Sequence, residues 1–412
     1  MRSLPTWMLA LAAAIGLCGC PWAKRTPTPV GPAADVLAKA GLQYYWRAEV
    51  SLQCGEAIVK MYRLDENLYC MTDLNRVIAL DAVRGTFKWT VAVADPGDTV
   101  FRPCHADSIV LSEKASSIAE ILDRRRSGDV EPFDAVLFNT LSKLIVIDRA
   151  TGRLVRRGID FDFAANTGGA TNETYFFVGA TSGRYCGILI QEAVKVWTLS
   201  TGDILKAPLE LHGKRLYVGG EDGYFYATRV SDRGEQAWKQ KTDGPITAAF
   251  HVDARGCFVP SEDNRLYAFN PASGRQLWEP FVCQGPLRDA VQVGGQSVFQ
   301  YARGDRLYAL DLATGRLRWD MPSGRVVLAN LNAETYVLDA SNNLIVVNEM
   351  TGERKASLGI LDYDVFLPNT TAEAIYMATA SGNIACVRTL RAGYLRLDQM
   401  QGRTEGRQPE GS

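Results

Sequence analysis

The side chains best suited to chemistry in this chain are nine cysteines, three histidines and one run of arginines, and their spacing argues against catalysis. Cys18 and Cys20 stand together near the N-terminus, while Cys54, Cys70, Cys104, Cys186, Cys257, Cys283 and Cys386 are scattered. No Cys-x-x-Cys pair is present for zinc or for thiol–disulfide exchange. Cys70, Cys186, Cys257 and Cys386 lie in or beside apolar runs, where a thiol behaves as a small hydrophobe. The odd number in the body of the chain leaves at least one thiol unpaired in a monomer, and Cys257 with Cys283 is the pairing to test first. His105, His212 and His251 are isolated from one another, so a zinc site would need the fold to gather them. Asp160 and Asp162 fall in a polar stretch without the 12-residue loop closed by Glu that calcium binding uses, and read as surface carboxylates. GxSxG, GxxxxGK and HExxH are all missing. Arg124, Arg125 and Arg126 end a segment, SEKASSIAEILDRRRSGDVE, whose Ile118, Ile121 and Leu122 have helical spacing; the three arginines are candidate partner contacts.

The elements that must carry these residues repeat. Arg306 to Trp319, RLYALDLATGRLRW, reads as a strand, a tight turn and a returning strand. Asp311 can accept backbone N–H groups one or two residues on, and Gly315 supplies a positive φ. Ala268 to Trp278 and Ala79 to Trp89 keep the same register, with weaker copies at 146–156, 196–205, 228–238 and 346–355 and the faintest at 384–388. Gly234, Gly274, Gly315 and Gly352 stand roughly 40 residues apart, room for four short strands and their turns. A second hairpin precedes each. The pattern predicts an all-β chain: a propeller of eight four-stranded antiparallel blades, with seven as the alternative because two repeats are degenerate.

The first strand signal, Tyr44 to Leu52, carries Trp46 but has no hairpin before it, and the last repeat at Ile384 to Arg388 has no returning strand after it. Pairing the two is predicted to close the ring, because it satisfies both open edges. Lys+Arg 45 against Asp+Glu 46 leaves no global field to draw nucleic acid.

Upstream, residues 1–19 read as a secretory signal, with Arg2 ahead of an apolar run. Leu17-Cys18-Gly19-Cys20 resembles the lipobox of bacterial lipoproteins, which implies that Cys20 is the acylated first residue of the mature chain. Pro21 after it leans towards the outer membrane. Residues 20–41 form the lipid attachment and Pro-rich tether, 42–395 the propeller and 396–412 a disordered tail.

The repeats resemble the pyrroloquinoline-quinone-like repeat β-propellers, whose pattern Ala-x-Asp-x-x-x-Gly-Lys/Arg-x-x-Trp is met in full by Ala309, Asp311, Gly315, Arg316 and Trp319. The resemblance implies that Trp89, Trp238, Trp278 and Trp319 wedge between neighbouring blades. Quinoprotein dehydrogenases in that group use a quinone and calcium, and many alcohol-oxidising ones have a vicinal Cys-Cys pair that this chain lacks. With lipobox, tether and repeats together, the chain is similar to the propeller subunit of the outer-membrane β-barrel assembly machinery. That similarity implies a non-catalytic, lipid-anchored scaffold at the periplasmic face of the outer membrane, monomeric within a complex of envelope proteins. Neither quinone nor calcium is expected. The alternatives are a quinoprotein dehydrogenase or a propeller that binds a small molecule or glycan.

Overall fold

The computed structural model describes residues 30–110, 132–231 and 233–395. Cys20, the signal and most of the tether, Arg124 to Arg126 and the tail 396–412 lie outside the described residues. One short helix, Ala34–Lys39, precedes the strands. No described helix is long and apolar enough to cross a membrane.

The described residues from Leu42 to Thr389 form eight four-stranded antiparallel sheets arranged as the blades of a ring. Blades I to VII span 58–92, 104–160, 170–200, 210–241, 251–282, 292–321 and 324–359. Blade VIII combines three strands within 365–389 with Leu42–Glu49 as its outer strand. That N-terminal strand pairs with Asn383–Thr389, placing Trp46 opposite Cys386, so the chain closes its ring with its own beginning. First strands of neighbouring blades touch, as Ile58–Leu64 does Val365–Leu367 and Glu210–His212 does His251–Asp253, which sets them at the axis. Each blade's first-to-second and third-to-fourth turns therefore lie at one end, the hairpin end. The remaining turns and the links between blades lie at the other.

Local chemistry explains the repeated turn. In blade VI, Asp311 Oδ1 accepts the N–H of Ala313 at 3.1 Å and of Thr314 at 2.8 Å, two and three residues on. Gly315 adopts φ +67, a region in which a side chain is strained, and donates its N–H to Asp311 O at 2.8 Å. Asp81, Asp148, Asn270 and Asn348 cap their turns in the same way.

The core lies between blades. Leu68, Cys70, Ile78 and Leu80 of blade I pack on Tyr376, Ile384 and Cys386 of blade VIII, and comparable clusters recur around the ring. Two sequence expectations need correction. The Cys257–Cys283 disulfide does not form: both are free thiols on opposite faces of blade V, Cys257 with Phe225 of blade IV and Cys283 with Val298 of blade VI. The third repeat is out of register, since its turn lies just before Val194–Ser200, at Ala193 with φ +59, and not at Gly202. Trp197 therefore sits on the outer strand, opposite Gly187, and Gly202 belongs to the link. The polar stretch 160–174 contributes the two-residue inner strand Ala170–Thr171 of blade III. Gly169 beside it leaves room for the Phe176 ring, which an added Cβ would strike.

Candidate binding surface

The tryptophans occupy one recurring position. Trp89, Trp278 and Trp319 are buried, and Trp238 is half-buried. Each lies on the turn glycine of the next blade: Trp89 on Gly152, Trp238 on Gly274, Trp278 on Gly315 and Trp319 on Gly352. Their Nε1 groups donate to main-chain oxygens of the same turns, from Trp89 to Arg149 at 2.9 Å and from Trp319 to Glu349 at 2.7 Å. Trp46 on Gly85 and Trp197 on Gly234 make the same contact. The sequence pattern did not single out Trp197, because no glycine stands four residues before it.

The histidines are not brought together. His105 joins blade I to blade II at the hairpin end, its Nδ1 2.7 Å from Asp65 Oδ2 and its Nε2 2.8 Å from the Tyr69 hydroxyl. Arg149 reaches Asp107 at 2.8 Å and Asp134 at 2.7 Å, and lies 3.9 Å from Asp65 and Glu66. Burial pushes Asp65 upward, but the His105 hydrogen bond and the charges of His105, Arg149 and Arg63 outweigh it and hold its carboxyl below the usual range. The order carboxylate, imidazole, hydroxyl is that of a nucleophilic relay, yet the hydroxyl belongs to a fully buried tyrosine whose pKa burial raises well above 10. What the arrangement does is bind two blades to each other and turn carboxylates outward. The Asp107 and Asp134 side chains, near the strand ends at Ile109 and Phe133, are 40% and 50% exposed. Apart from Asp134, 15 residues from Arg149, these partners lie 36 residues or more from His105 or Arg149, beyond the reach of any local motif.

Near the axis, Arg102 pairs with Glu210 at 2.5 Å across the inner strand of blade III. Cys104 close by has a thiol that burial pushes up to about 12. Asp160 and Asp162 are 81% and 69% exposed and face Lys143 and Lys195 separately. Among the described residues no group of three or more His, Cys, Asp or Glu could hold a metal ion.

Eight antiparallel blades, indoles docked on the glycines of the next repeat and a strand borrowed from the N-terminus define an eight-bladed β-propeller of pyrroloquinoline-quinone-like repeats. The family model described as outer membrane protein assembly factor BamB matches residues 191–288 and 263–408, more than half of the chain. The chain belongs to that family. Among solved structures it is similar to BamB from Moraxella catarrhalis, with TM-score 0.60 and 15% identity over 85% of this chain and 100% of that one. The computationally designed Ika8 protein aligns with TM-score 0.57 and 12% identity over 82% of this chain and 98% of its own. At such identities the likeness is one of fold. No curated protein sequence matches the chain.

Proposed function

We propose that this chain is a non-catalytic scaffold, held to the periplasmic face of the outer membrane by lipid on Cys20, that binds other envelope proteins during outer-membrane protein assembly. The observation that carries the reading is the family match over more than half of the chain. The use of polar groups supports it: His105, Arg149 and their carboxylates link blades I and II rather than converge on a pocket. The partner contact proposed is the hairpin end of those blades, with Asp107, Asp134 and the basic run Arg124, Arg125 and Arg126. No quinone or calcium takes part.

Two measurements test this. Mild-detergent capture of the acylated protein should recover barrel-assembly components, and reversing the charges of Arg124 to Arg126 should weaken that recovery. Recovery only of unrelated envelope proteins would overturn the assembly role. Cys20→Ser should release the protein from the membrane fraction, and retention at the wild-type level would refute the anchor.

A further inference from the structure

We propose that the cleft between blades II and III binds an acidic sugar, a pyranose ring bearing a carboxylate or a phosphate. The two blades also lack the repeating indole lock at their hairpin end. Arg156 stands opposite Val146, in the register where Trp89 stands opposite Ala79, so blade II has no indole to place on its neighbour. The receiving turn has Ala193 in place of glycine. Blade VII lacks its indole too, with Ala356 opposite Val346, but there the helix Ala34–Lys39 packs against blades VII and VIII and buries Leu37.

The cleft holds about 340 Å³, at the small end of ligand pockets and enough for a single ring with its substituents. Its walls are specific. Arg184 pairs with Ser200 and Cys186 with Thr198 across two adjacent strands, so the guanidinium and both hydroxyls emerge on one face of blade III. Ser182 stands at the turn before them. Neither the Arg184 guanidinium nor these three hydroxyls has a hydrogen-bond partner among the described residues, which leaves a forked cation and several donor–acceptors available to a ligand. The Cys186 thiol at the floor is buried and protonated, its pKa pushed up to about 12 by burial. Opposite, Phe163 is backed by the parallel ring of Phe161 at 5.0 Å, and Lys195 Nζ lies 5.7 Å from the Phe163 centroid while bonding Asp162 at 2.5 Å.

These groups match one chemistry together. An aromatic wall suits the C–H face of a pyranose, serine and threonine hydroxyls suit its hydroxyls, and a free guanidinium suits an oxyanion bidentately. A bare anion would leave the aromatic wall unused, and a neutral sugar would leave Arg184 unmatched.

Saturation-transfer NMR and calorimetry on the full chain, with glucuronic acid and glucose 6-phosphate as probes and glucose and inorganic phosphate as controls, test the site. Transfer to ring protons of at least one acidic sugar is expected, and the preferred probe reports whether carboxylate or phosphate is read. Glucose should bind about tenfold more weakly, and Arg184→Gln should cost the acidic probe about tenfold in affinity. Arg184 is exposed, so that variant should fold; Phe163→Leu should reduce ring-proton transfer with its melt checked alongside. No transfer from either acidic sugar at millimolar concentration would overturn the proposal. So would unchanged affinity in Arg184→Gln, or inorganic phosphate binding as tightly as glucose 6-phosphate.

Discussion

Trp46 lies against Gly85, a Cβ on which would fall 2.5 Å from the indole Cδ2. Trp46 also sits opposite Cys386 in the outer strand of blade VIII and donates its Nε1–H to Ala82 O at 3.1 Å. One side chain near the start of the chain thus meets the last blade and the first. The glycine of the turn has two separate duties there: to adopt φ +71 and to leave room for the indole.

Those duties can be separated by substitution. Gly85→Ala should lose about 1–2 kcal/mol through its backbone conformation alone, plus the cost of displacing Trp46. Gly55 has φ +80 but nothing within 4 Å of an added Cβ, so Gly55→Ala should carry only the backbone part. Thermal melts should rank Gly85→Ala clearly below Gly55→Ala; equal melts would show that the indole contact contributes nothing.

A second comparison isolates the indole hydrogen bond. Trp319→Ala should cost about 3–5 kcal/mol as a large core truncation. Trp319→Phe keeps most of the packing but leaves Glu349 O without its 2.7 Å donor, whereas Trp197 Nε1 is buried with no partner in the first place. Trp319→Phe should therefore destabilise by about 1 kcal/mol more than Trp197→Phe in urea titrations. The reverse order would disprove the role of that bond.

Ring closure predicts a sharp boundary at the N-terminus. Removing residues through Leu52 takes away the outer strand of blade VIII and exposes the edge of Asn383–Thr389, so aggregation is expected on size exclusion. A truncation that ends before Val30 keeps that strand, the helix and the Gly31 N–H to Asp362 bond at 3.0 Å, and should stay monodisperse. Matching behaviour of the two truncations would contradict closure by this strand.

Acid should loosen the ring through carboxylates with depressed pKa values. Burial raises Asp65 and Asp253, but hydrogen bonds and charge from His105 and Arg149 in one case, and from His251 and Arg255 in the other, bring both below the ordinary value. Their contribution is complete above the unfolded aspartate pKa of about 3.9 and is lost as pH falls through the lower folded values. These groups should leave the melting temperature flat from about pH 7 to 5 and lower it below about pH 4. Asp253→Asn should flatten that decline, and an acid limb identical to wild type would remove Asp253 from the account.

Much of the fold was legible because the repeating unit is local. Asp311 and Gly315 stand four residues apart, and one hairpin's capping and φ requirements are met within that span. Counting strands was enough to pair Trp46's strand with the strand of Cys386, since an edge left open at each end of the chain has one economical partner. The third blade misled because its turn holds Ala193 instead of glycine, and the glycine that matched the pattern, Gly202, lies beyond the strand and not before it.

By itself, the sequence determined the class of fold and the way the ring closes, because turn chemistry and strand period act over a few residues at a time, while the structure decided for eight blades over seven. Only the tertiary structure decided what touches across blades. It put each indole on the next blade's glycine, parted Cys257 from Cys283 onto opposite faces of one sheet, and set His105 between Asp65 and Tyr69. It also gathered Arg184, Thr198 and Ser200 on one wall of a cleft that Phe163 borders. Such contacts join residues tens to hundreds of positions apart, and their geometry follows from how blades pack around an axis, which no local pattern encodes.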